Sequence, residues 1–386
     1  MKVAFASTIL TYPWGGADSL WTTTAESAAQ RGDHLFLALS PLTSAHPRIL
    51  HLVGRGATIH RRDERLVRGG IKKRLMRWCS TLSTRPAIFS ALERFSPDIL
   101  CLCQGGTFDF LVEPLLIDWL KATQLPYVLI CQSNDAAVEL NTRDQALAHG
   151  CFESAAATIF VSKHNLLLAQ QQSGSSIPRA HVVYNPTSHT GLTGLPWPPS
   201  PPYRMATVSR IESRDKGLDL LIPALAGALG ESAEWHLDIF GQGPDTLSLQ
   251  KMAHGHGLAD RIAFCGHTTD IAALWREHHL LLLPSRLEGC SLAMMEALLC
   301  GRPVLATPVG GVDEWIKDRI SGFVCRDISA NSLTETLKAC WDARHQWENM
   351  GQEARQHALT LTKPHPCSDV LTLFDQATQN STRKNL

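Results

Sequence analysis

The chain has 386 residues, a length that fits two domains better than one. With 44% apolar and 19% charged residues it has an ordinary globular composition, and its formal net charge of zero argues against a nucleic-acid partner. The eleven cysteines include no Cys-x-x-Cys pair, so we expect buried, reduced thiols in a cytoplasmic protein. No apolar run approaches the ~18 residues that cross a bilayer, and the N-terminus lacks the layout of a signal peptide.

Short apolar runs alternate with helical patterns along the whole chain, which predicts an α/β protein with parallel sheets. The strands predicted in the first half lie near Val3–Ala6, His34–Ala38, Ile99–Cys103, Tyr127–Cys131, Thr158–Val161 and His181–Tyr184. The helices predicted there lie near Ala17–Gln30, Phe108–Lys121 and Lys163–Gln171. The strands predicted in the second half, with helices between them, lie near Met205–Ser209, His236–Phe240, Ile262–Cys265, Leu280–Pro284, Pro303–Thr307 and Gly322–Cys325.

A proline-rich stretch from Thr187 to Pro202 separates the two halves, because prolines at this density cannot continue a helix or a central strand. We therefore predict two doubly wound, Rossmann-like domains that face each other across a cleft, where the carboxyl ends of such strands bind ligands. The predicted segments are an N-terminal domain over 1–190, a linker over 191–203, a C-terminal domain over 204–362, and a final helix and polar tail over 363–386 that can cross back to the first domain.

The most informative motif runs from Ser285 to Gly311. It follows an apolar run that predicts a buried strand, and it continues into a predicted helix. A loop at this place exposes the backbone N–H groups of the helix start, which bind anions together with the helix dipole. Glu288 precedes the turn and Glu296 lies eight residues further on, so both can face one ligand. A surface glutamate and a helix N-terminal glutamate are the simpler alternative.

This motif resembles the Glu-x7-Glu signature of the family-4 (group 1) retaining glycosyltransferases, which have the GT-B fold. Three further segments resemble motifs of that family in the same order: Gly15-Gly16, Val208 to Gly217, and Phe240 to Pro244. The resemblance implies that Glu288 contacts the donor sugar and Glu296 the ribose. The donor-binding residues that it implies are Gly15, Gly16, Gly241, Gly289, Cys290, Ser291, Leu292 and Glu296.

Two basic residues after the first strand of the second half match the cations of that family. Arg210 and Lys216 are expected to stabilise the departing diphosphate, and with Glu288 they form the predicted catalytic set. The alternative is that they are solvated loop charges. The chain contains no Asp-x-Asp motif, so we predict transfer without a metal ion and without a cofactor other than the nucleotide sugar.

The acceptor side departs from the family pattern, because the strand-end histidine of many members is missing. Gln104 and Asn134 stand at the two candidate strand ends and can hydrogen-bond a sugar, although neither accepts a proton at neutral pH. Asp135 is a candidate general base, and a helix N-cap is its alternative role. The segment from Arg55 to Arg77 mixes basic and apolar residues, which suits an anionic membrane or acceptor as well as a solvated loop and helix.

The sequence thus predicts sugar transfer from a nucleoside diphosphate sugar to a saccharide or glycolipid hydroxyl, with retention implied by the resemblance alone. It leaves open an epimerase or phosphorylase on the same scaffold, and a non-catalytic protein that binds sugar nucleotides. The expected location is the cytoplasm, with contact to the inner face of the membrane through Arg55 to Arg77.

Overall fold

The computed structural model describes residues 1–9, 14–62, 87–187, 195–229 and 234–384. Its contacts divide the chain into two compact units, Met1–Pro186 with Pro364–Leu386, and Thr187–Lys363. The last stretch of the chain therefore packs with the first unit. The basic segment that we predicted to touch a membrane lies mostly outside the described residues, from residue 63 to residue 77.

The first unit is built on a parallel sheet, whose strands are nearly continuous apolar runs because helices cover both faces. The strands in its described part are β1 (Lys2–Ser7), β2 (His34–Leu39), β3 (Thr58–Arg61), β4 (Ile99–Gly106), β5 (Tyr127–Ser133), β6 (Ala157–Phe160) and β7 (Ala180–Val182). Their order across the sheet is β3-β2-β1-β4-β5-β6-β7. The strand order reverses between β1 and β4, and sheets of this kind bind ligands outside the carboxyl ends at such a reversal.

Helices of the first unit follow most of its strands. Their bounds are α1 (Ser19–Gln30), α2 (Pro41–Ser44), α3 (Pro47–Gly54), α4 (Ala87–Phe95), α5 (Pro114–Thr123), α6 (Thr142–Ser154), α7 (Lys163–Ser173) and the C-terminal α16 (Pro366–Lys384). Phe5 of β1 contacts Trp21 of α1 and Phe374 of α16, with ring centroids 6.1 and 6.0 Å apart. The C-terminal helix thus completes the hydrophobic core of this unit.

The second unit repeats the same architecture with a six-stranded parallel sheet in its described part. The strands are β8 (Tyr203–Val208), β9 (Trp235–Phe240), β10 (Ile262–Gly266), β11 (Leu280–Leu283), β12 (Val304–Ala306) and β13 (Gly322–Val324). Their order is β10-β9-β8-β11-β12-β13, so the reversal falls between β8 and β11. The helices are α8 (Ser213–Lys216), α9 (Leu218–Leu229), α10 (Thr246–Gly255), α11 (Ile271–Glu277), α12 (Leu292–Leu299), α13 (Val312–Trp315), α14 (Ala330–Asp342) and α15 (Trp347–Leu361).

The proline-rich segment that we predicted as a linker packs against the second unit where the structure describes it. Trp197 lies against the core of that unit, and the guanidinium of Arg302 stands 5.2 Å from its ring centroid. Arg302 also donates to the carbonyl of Pro196 at 2.6 Å. These contacts tie residues just before β8 to the loop that leads into β12.

The prediction of two doubly wound α/β halves is confirmed, and each predicted strand coincides with an observed one. Two local predictions were wrong. The edge strand β3 was missed, because its residues are exposed or half-exposed and form no apolar run. The predicted helix over Phe108–Lys121 is instead a 3-10 turn over Asp109–Val112 followed by α5, since Pro114 lacks an N–H and starts a new helix.

None of the helices in the described ranges is both long and apolar enough to cross a membrane.

Candidate active site

An ion pair spans the strand-order reversal of the second unit. Lys216 ends the short helix after β8, and Glu288 lies in the loop after β11. The Lys216 Nζ donates to Oε1 of Glu288 at 2.6 Å, and the Ser285 hydroxyl donates to the same oxygen at 2.8 Å. Both charged side chains are largely buried, with 20% and 10% of their surface exposed. The structure therefore brings together two of the three predicted catalytic residues.

A glycine makes this contact possible. Gly217 caps α8 with a φ of +63°, and a Cβ built on it would lie 2.0 Å from the carbonyl oxygen of Pro284. Only glycine allows the end of α8 to approach the end of β11 so closely. The close approach places Lys216 within reach of Glu288.

Arg286 fixes the loop that carries Glu288, a role that our sequence analysis missed. Its guanidinium binds both carboxylate oxygens of Asp219 at 2.6 and 2.8 Å and the carbonyl of Ser213 at 2.6 Å. The backbone N–H groups of Arg286 and Leu287 both donate to the carbonyl of Asp215. The bond to Asp219 raises the pKa of Arg286, and a bidentate pair of this kind orients a loop well. The sequence offered no local signal, because Asp219 and Arg286 are 67 residues apart.

Arg210 lies in the loop between β8 and α8, close in sequence to Lys216, but contacts acids of its own segment. Its guanidinium pairs with Glu212 and, at 3.2 Å, with Asp215. About a third of the side chain remains exposed. A guanidinium presents its N–H donors in a planar fork, a geometry that suits phosphate as well as carboxylate.

The glycine turn after β9 positions the Arg210 loop. A Cβ on Gly241 would lie 1.8 Å from the carbonyl oxygen of Ser209, and one on Gly243 would lie 2.1 Å from that of Ile211. The predicted donor-binding Gly241 therefore has a structural requirement of its own, because two strand-end loops pack here with backbone against backbone.

The start of α12 offers the predicted anion-binding donors. Within the described ranges, no hydrogen bond from the backbone N–H groups of Gly289, Ser291 or Leu292 is found. The Ser291 hydroxyl accepts from the N–H of Met294 and caps the helix. Cys290 is buried, and burial raises the pKa of its thiol, so it acts as a small apolar residue. Unused N–H groups at a helix start form a binding site for phosphate.

Glu296 lies in the second turn of α12 and is only 6% exposed. Burial raises the pKa of its carboxyl to about 7. A carboxyl group in this position is costly for folding, because water no longer solvates its charged form. Carboxyl groups with strongly shifted pKa values occur most often at functional sites.

The glycine loop of the first unit is held by a buried acid that sequence analysis missed. Gly15 donates its N–H to Asp18 Oδ2 at 3.0 Å, and the Trp21 indole donates to Asp18 Oδ1 at 3.0 Å. Asp18 is 2% exposed, and burial raises the pKa of its carboxyl. The Gly15 N–H is therefore already engaged, whereas none of the described residues accepts from the N–H of Gly16.

The three predicted acceptor-side residues have different environments. Gln104 is fully buried, accepts from the N–H of Phe110 and donates to the carbonyl of Thr107, so its amide holds the loop after β4. Asp135 is exposed and accepts from the N–H of Ala137, which is a turn-capping role. These contacts give the Gln104 amide and one Asp135 oxygen local structural roles, and sugar binding by Gln104 and proton transfer by Asp135 stay predictions. Asn134 is 5% exposed, and its two amide atoms find no partner among the described residues.

The described residues contain no group of three or more His, Cys, Asp or Glu side chains that could hold a metal ion.

Comparison with known proteins supports the family that the motifs indicated. Residues 202–342 match the family model described as "Glycosyl transferases group 1". The GtfA subunit of the UDP-N-acetylglucosamine–peptide N-acetylglucosaminyltransferase of Streptococcus gordonii is 28% identical over 214 residues, which cover 54% of this chain and 42% of that protein. The chain spans less than half the length of the first curated relatives that it matches.

Solved structures show the same fold over nearly the whole chain. HepE of Anabaena in complex with UDP-glucose has a TM-score of 0.70 and 18% identity, with 99% of this chain and 100% of that chain covered. Sucrose-phosphate synthase of Thermosynechococcus elongatus has a TM-score of 0.73 and 16% identity, with 97% and 98% covered. The predicted GT-B fold is confirmed by this likeness. The match over residues 202–342 to the group 1 glycosyltransferase model agrees with the motifs of the second unit.

Proposed function

We propose that the protein transfers a sugar from a nucleoside diphosphate sugar to a hydroxyl group of a saccharide or glycolipid, in the synthesis of a polysaccharide or glycolipid. The observation that carries this proposal is the contact of Lys216 with Glu288 across the strand-order reversal of the second unit. A cation, a carboxylate and helix-start N–H groups that donate to no described residue together suit a sugar diphosphate. The family match over residues 202–342 supports the same activity.

The proposed donor is a uridine diphosphate sugar. One structural neighbour is described in complex with UDP-glucose, and a sequence relative is named for UDP-N-acetylglucosamine. The buried carboxyl of Glu296 fits the vicinal hydroxyls of a ribose, because a carboxylate accepts two hydrogen bonds from such a diol. Ribose hydroxyls would favour the ionised form of Glu296 over the protonated form.

Glu288 is proposed to bind the transferred sugar. Lys216 and Ser285 both donate to its Oε1. None of the described residues forms a hydrogen bond with its Oε2. Sugar hydroxyls can therefore donate to Oε2. The lysine 2.6 Å away also lowers the nucleophilicity of this carboxylate, which disfavours a covalent sugar intermediate on Glu288. We therefore propose retention through departure of the diphosphate, in line with the family resemblance, rather than the two-carboxylate scheme of retaining glycosidases.

Lys216 and Arg210 are proposed to stabilise the departing diphosphate in place of a metal ion. Negative charge grows on the bridging oxygen as the glycosidic bond breaks, and fixed cations near it lower the barrier. We further propose a cytoplasmic location with contact to the inner face of the membrane. The basic residues from Arg55 to Arg77 in the sequence support that contact.

The test begins with calorimetric titration of UDP, GDP and ADP, followed by measurement of UDP release from UDP-sugars with and without acceptors. We expect UDP to bind, and we expect release to depend on an acceptor. The variants Lys216→Ala and Glu288→Gln should abolish most of the release. Matched substitutions at exposed positions of the same unit, Lys251→Ala and Glu335→Gln, should leave it unchanged.

Other outcomes would identify the alternative functions. Conversion of one UDP-sugar into another without release of UDP would indicate an epimerase. Cleavage that depends on inorganic phosphate would indicate a phosphorylase. UDP-sugar binding without turnover over a broad acceptor panel would indicate a non-catalytic binding protein.

A further inference from the structure

The first unit contains a carboxylate that joins the ends of its two central strands. Asp109 lies in the 3-10 turn after β4, and its Oδ2 accepts three hydrogen bonds. The Thr8 hydroxyl donates at 2.7 Å, and the N–H groups of Gly105 and Gly106 donate at 3.1 and 3.0 Å. Thr8 directly follows β1, so Asp109 bridges β1 and β4 at the reversal of strand order.

The backbone is shaped to admit this carboxylate. A Cβ built on Gly106 would lie 2.9 Å from Asp109 Oδ1, and one built on Gly105 would lie 3.5 Å from Oδ2. Gly106 therefore leaves room for the acid, and Gly105 and Gly106 together supply two of its three donors. The three donors fix the orientation of the carboxylate.

The second oxygen of Asp109 is left for another partner. Within the described part of the chain, no hydrogen bond reaches Oδ1 and no Lys or Arg forms an ion pair with Asp109. The cation at the same edge, Arg62, pairs with Glu113 and with the carbonyl of Ser7 instead. Burial raises the pKa of the Asp109 carboxyl, whereas its three donors act in the opposite direction. A fixed acceptor oxygen that none of the described residues contacts is suited to a hydroxyl donor.

A second polar group with unused capacity lies at the neighbouring strand end. Gly106 of β4 pairs with Ser133 of β5, and Asn134 follows directly. Asn134 is 5% exposed, and its amide finds no partner in the described ranges. Buried polar groups are nearly always hydrogen-bonded, so such an amide calls for a ligand or a bound water. A carboxylate oxygen and an amide that no described residue contacts, at adjacent strand ends, can accept from and donate to the hydroxyls of a sugar.

We propose that Asp109 and Asn134 form the acceptor site of the first unit, with Asp109 Oδ1 accepting a hydrogen bond from a hydroxyl of a saccharide. This inference rests on the proposed function, which places a sugar nucleotide at the corresponding reversal of the second unit. It assigns the acceptor carboxylate to Asp109, which our sequence analysis did not consider, rather than to Asp135.

The test uses UDP-glucose, UDP-galactose and UDP-N-acetylglucosamine as donors, with p-nitrophenyl glycosides of common hexoses as acceptors. The variant Asp109→Asn keeps the size of the side chain and removes its charge. We expect it to raise the acceptor KM about ten- to hundredfold, the loss of one hydrogen bond to a charged group. The dissociation constant of UDP, measured by calorimetry, should stay within twofold. The control Asp118→Asn changes an exposed acid of α5 and should leave both constants unchanged.

A second variant keeps the test decisive if Asp109→Asn does not fold. Gly106→Ala retains the carboxylate but places a methyl group against its Oδ1, so it should also raise the acceptor KM. An acceptor KM within twofold of the wild type in the folded variants would overturn the assignment, as would an equal loss of UDP affinity. A wild type that binds UDP but transfers to no saccharide would refute sugar transfer and, with it, the acceptor site. A wild type that binds none of UDP, GDP and ADP would refute the proposed function itself.

Discussion

The variant Glu296→Gln tests whether the buried carboxyl of α12 is kept for binding at a cost in stability. Burial raises the pKa of Glu296 from 4.5 to about 7. The stability contributed by its protonated form is therefore fully present below about pH 4.5 and is lost as the pH rises through about 7. One pKa unit corresponds to about 1.4 kcal/mol, so the loss between pH 5 and pH 8 is about 2 to 3 kcal/mol. Glutamine has no charge to bury and avoids this loss.

The assay is urea unfolding of the wild type and of Glu296→Gln at both pH values. We expect the variant to gain about 2 to 3 kcal/mol over the wild type between pH 5 and pH 8. Calorimetry at pH 8 should show that the same variant binds UDP more weakly, because it lacks the carboxylate proposed to hold the ribose. The control Glu335→Gln, at an exposed position of α14, should show neither effect.

Two results would refute this reasoning. A stability difference that does not change with pH would show that Glu296 is not protonated in the folded protein near pH 5. Unchanged UDP affinity in a stabilised variant would show that the buried carboxyl does not bind the nucleotide.

Three further predictions concern the loops of the second unit. Lys216→Ala and Arg210→Ala should each lower kcat about 100-fold in single-turnover experiments at saturating donor, and the double variant should lose less than the product, because both cations act on one diphosphate. Near-normal rates that are reached only at higher donor concentrations would show that the two cations bind the donor without stabilising the transition state. Gly217→Ala should destabilise the protein by more than about 2 kcal/mol in urea unfolding, since its Cβ would overlap the Pro284 carbonyl; an unchanged unfolding midpoint would contradict the proposed contact. Sugar transfer should continue in EDTA, and its complete loss with recovery on adding magnesium or manganese would contradict metal independence.

Local patterns in the sequence predicted the architecture of each half. Buried parallel strands are continuous apolar runs, so each of the six strands of the second unit was recognisable without its neighbours. The motif around Glu288 was equally local, because a strand, a turn and a helix start follow one another in the chain. The half-exposed edge strand β3 lacked such a run and was missed.

Contacts between strand ends were decided by the tertiary structure, since they depend on which strands become neighbours in the sheet. Lys216 and Glu288 are 72 residues apart, and Thr8 and Asp109 are 101 apart. Gln104 of β4 and Asp109 of the following turn illustrate the limit. Only the packing decides that the Gln104 amide is engaged by its own loop, while Asp109 keeps an oxygen that no described residue contacts. Apolar periodicity records burial along one segment, whereas the partners of a polar side chain come from segments that the fold brings to it.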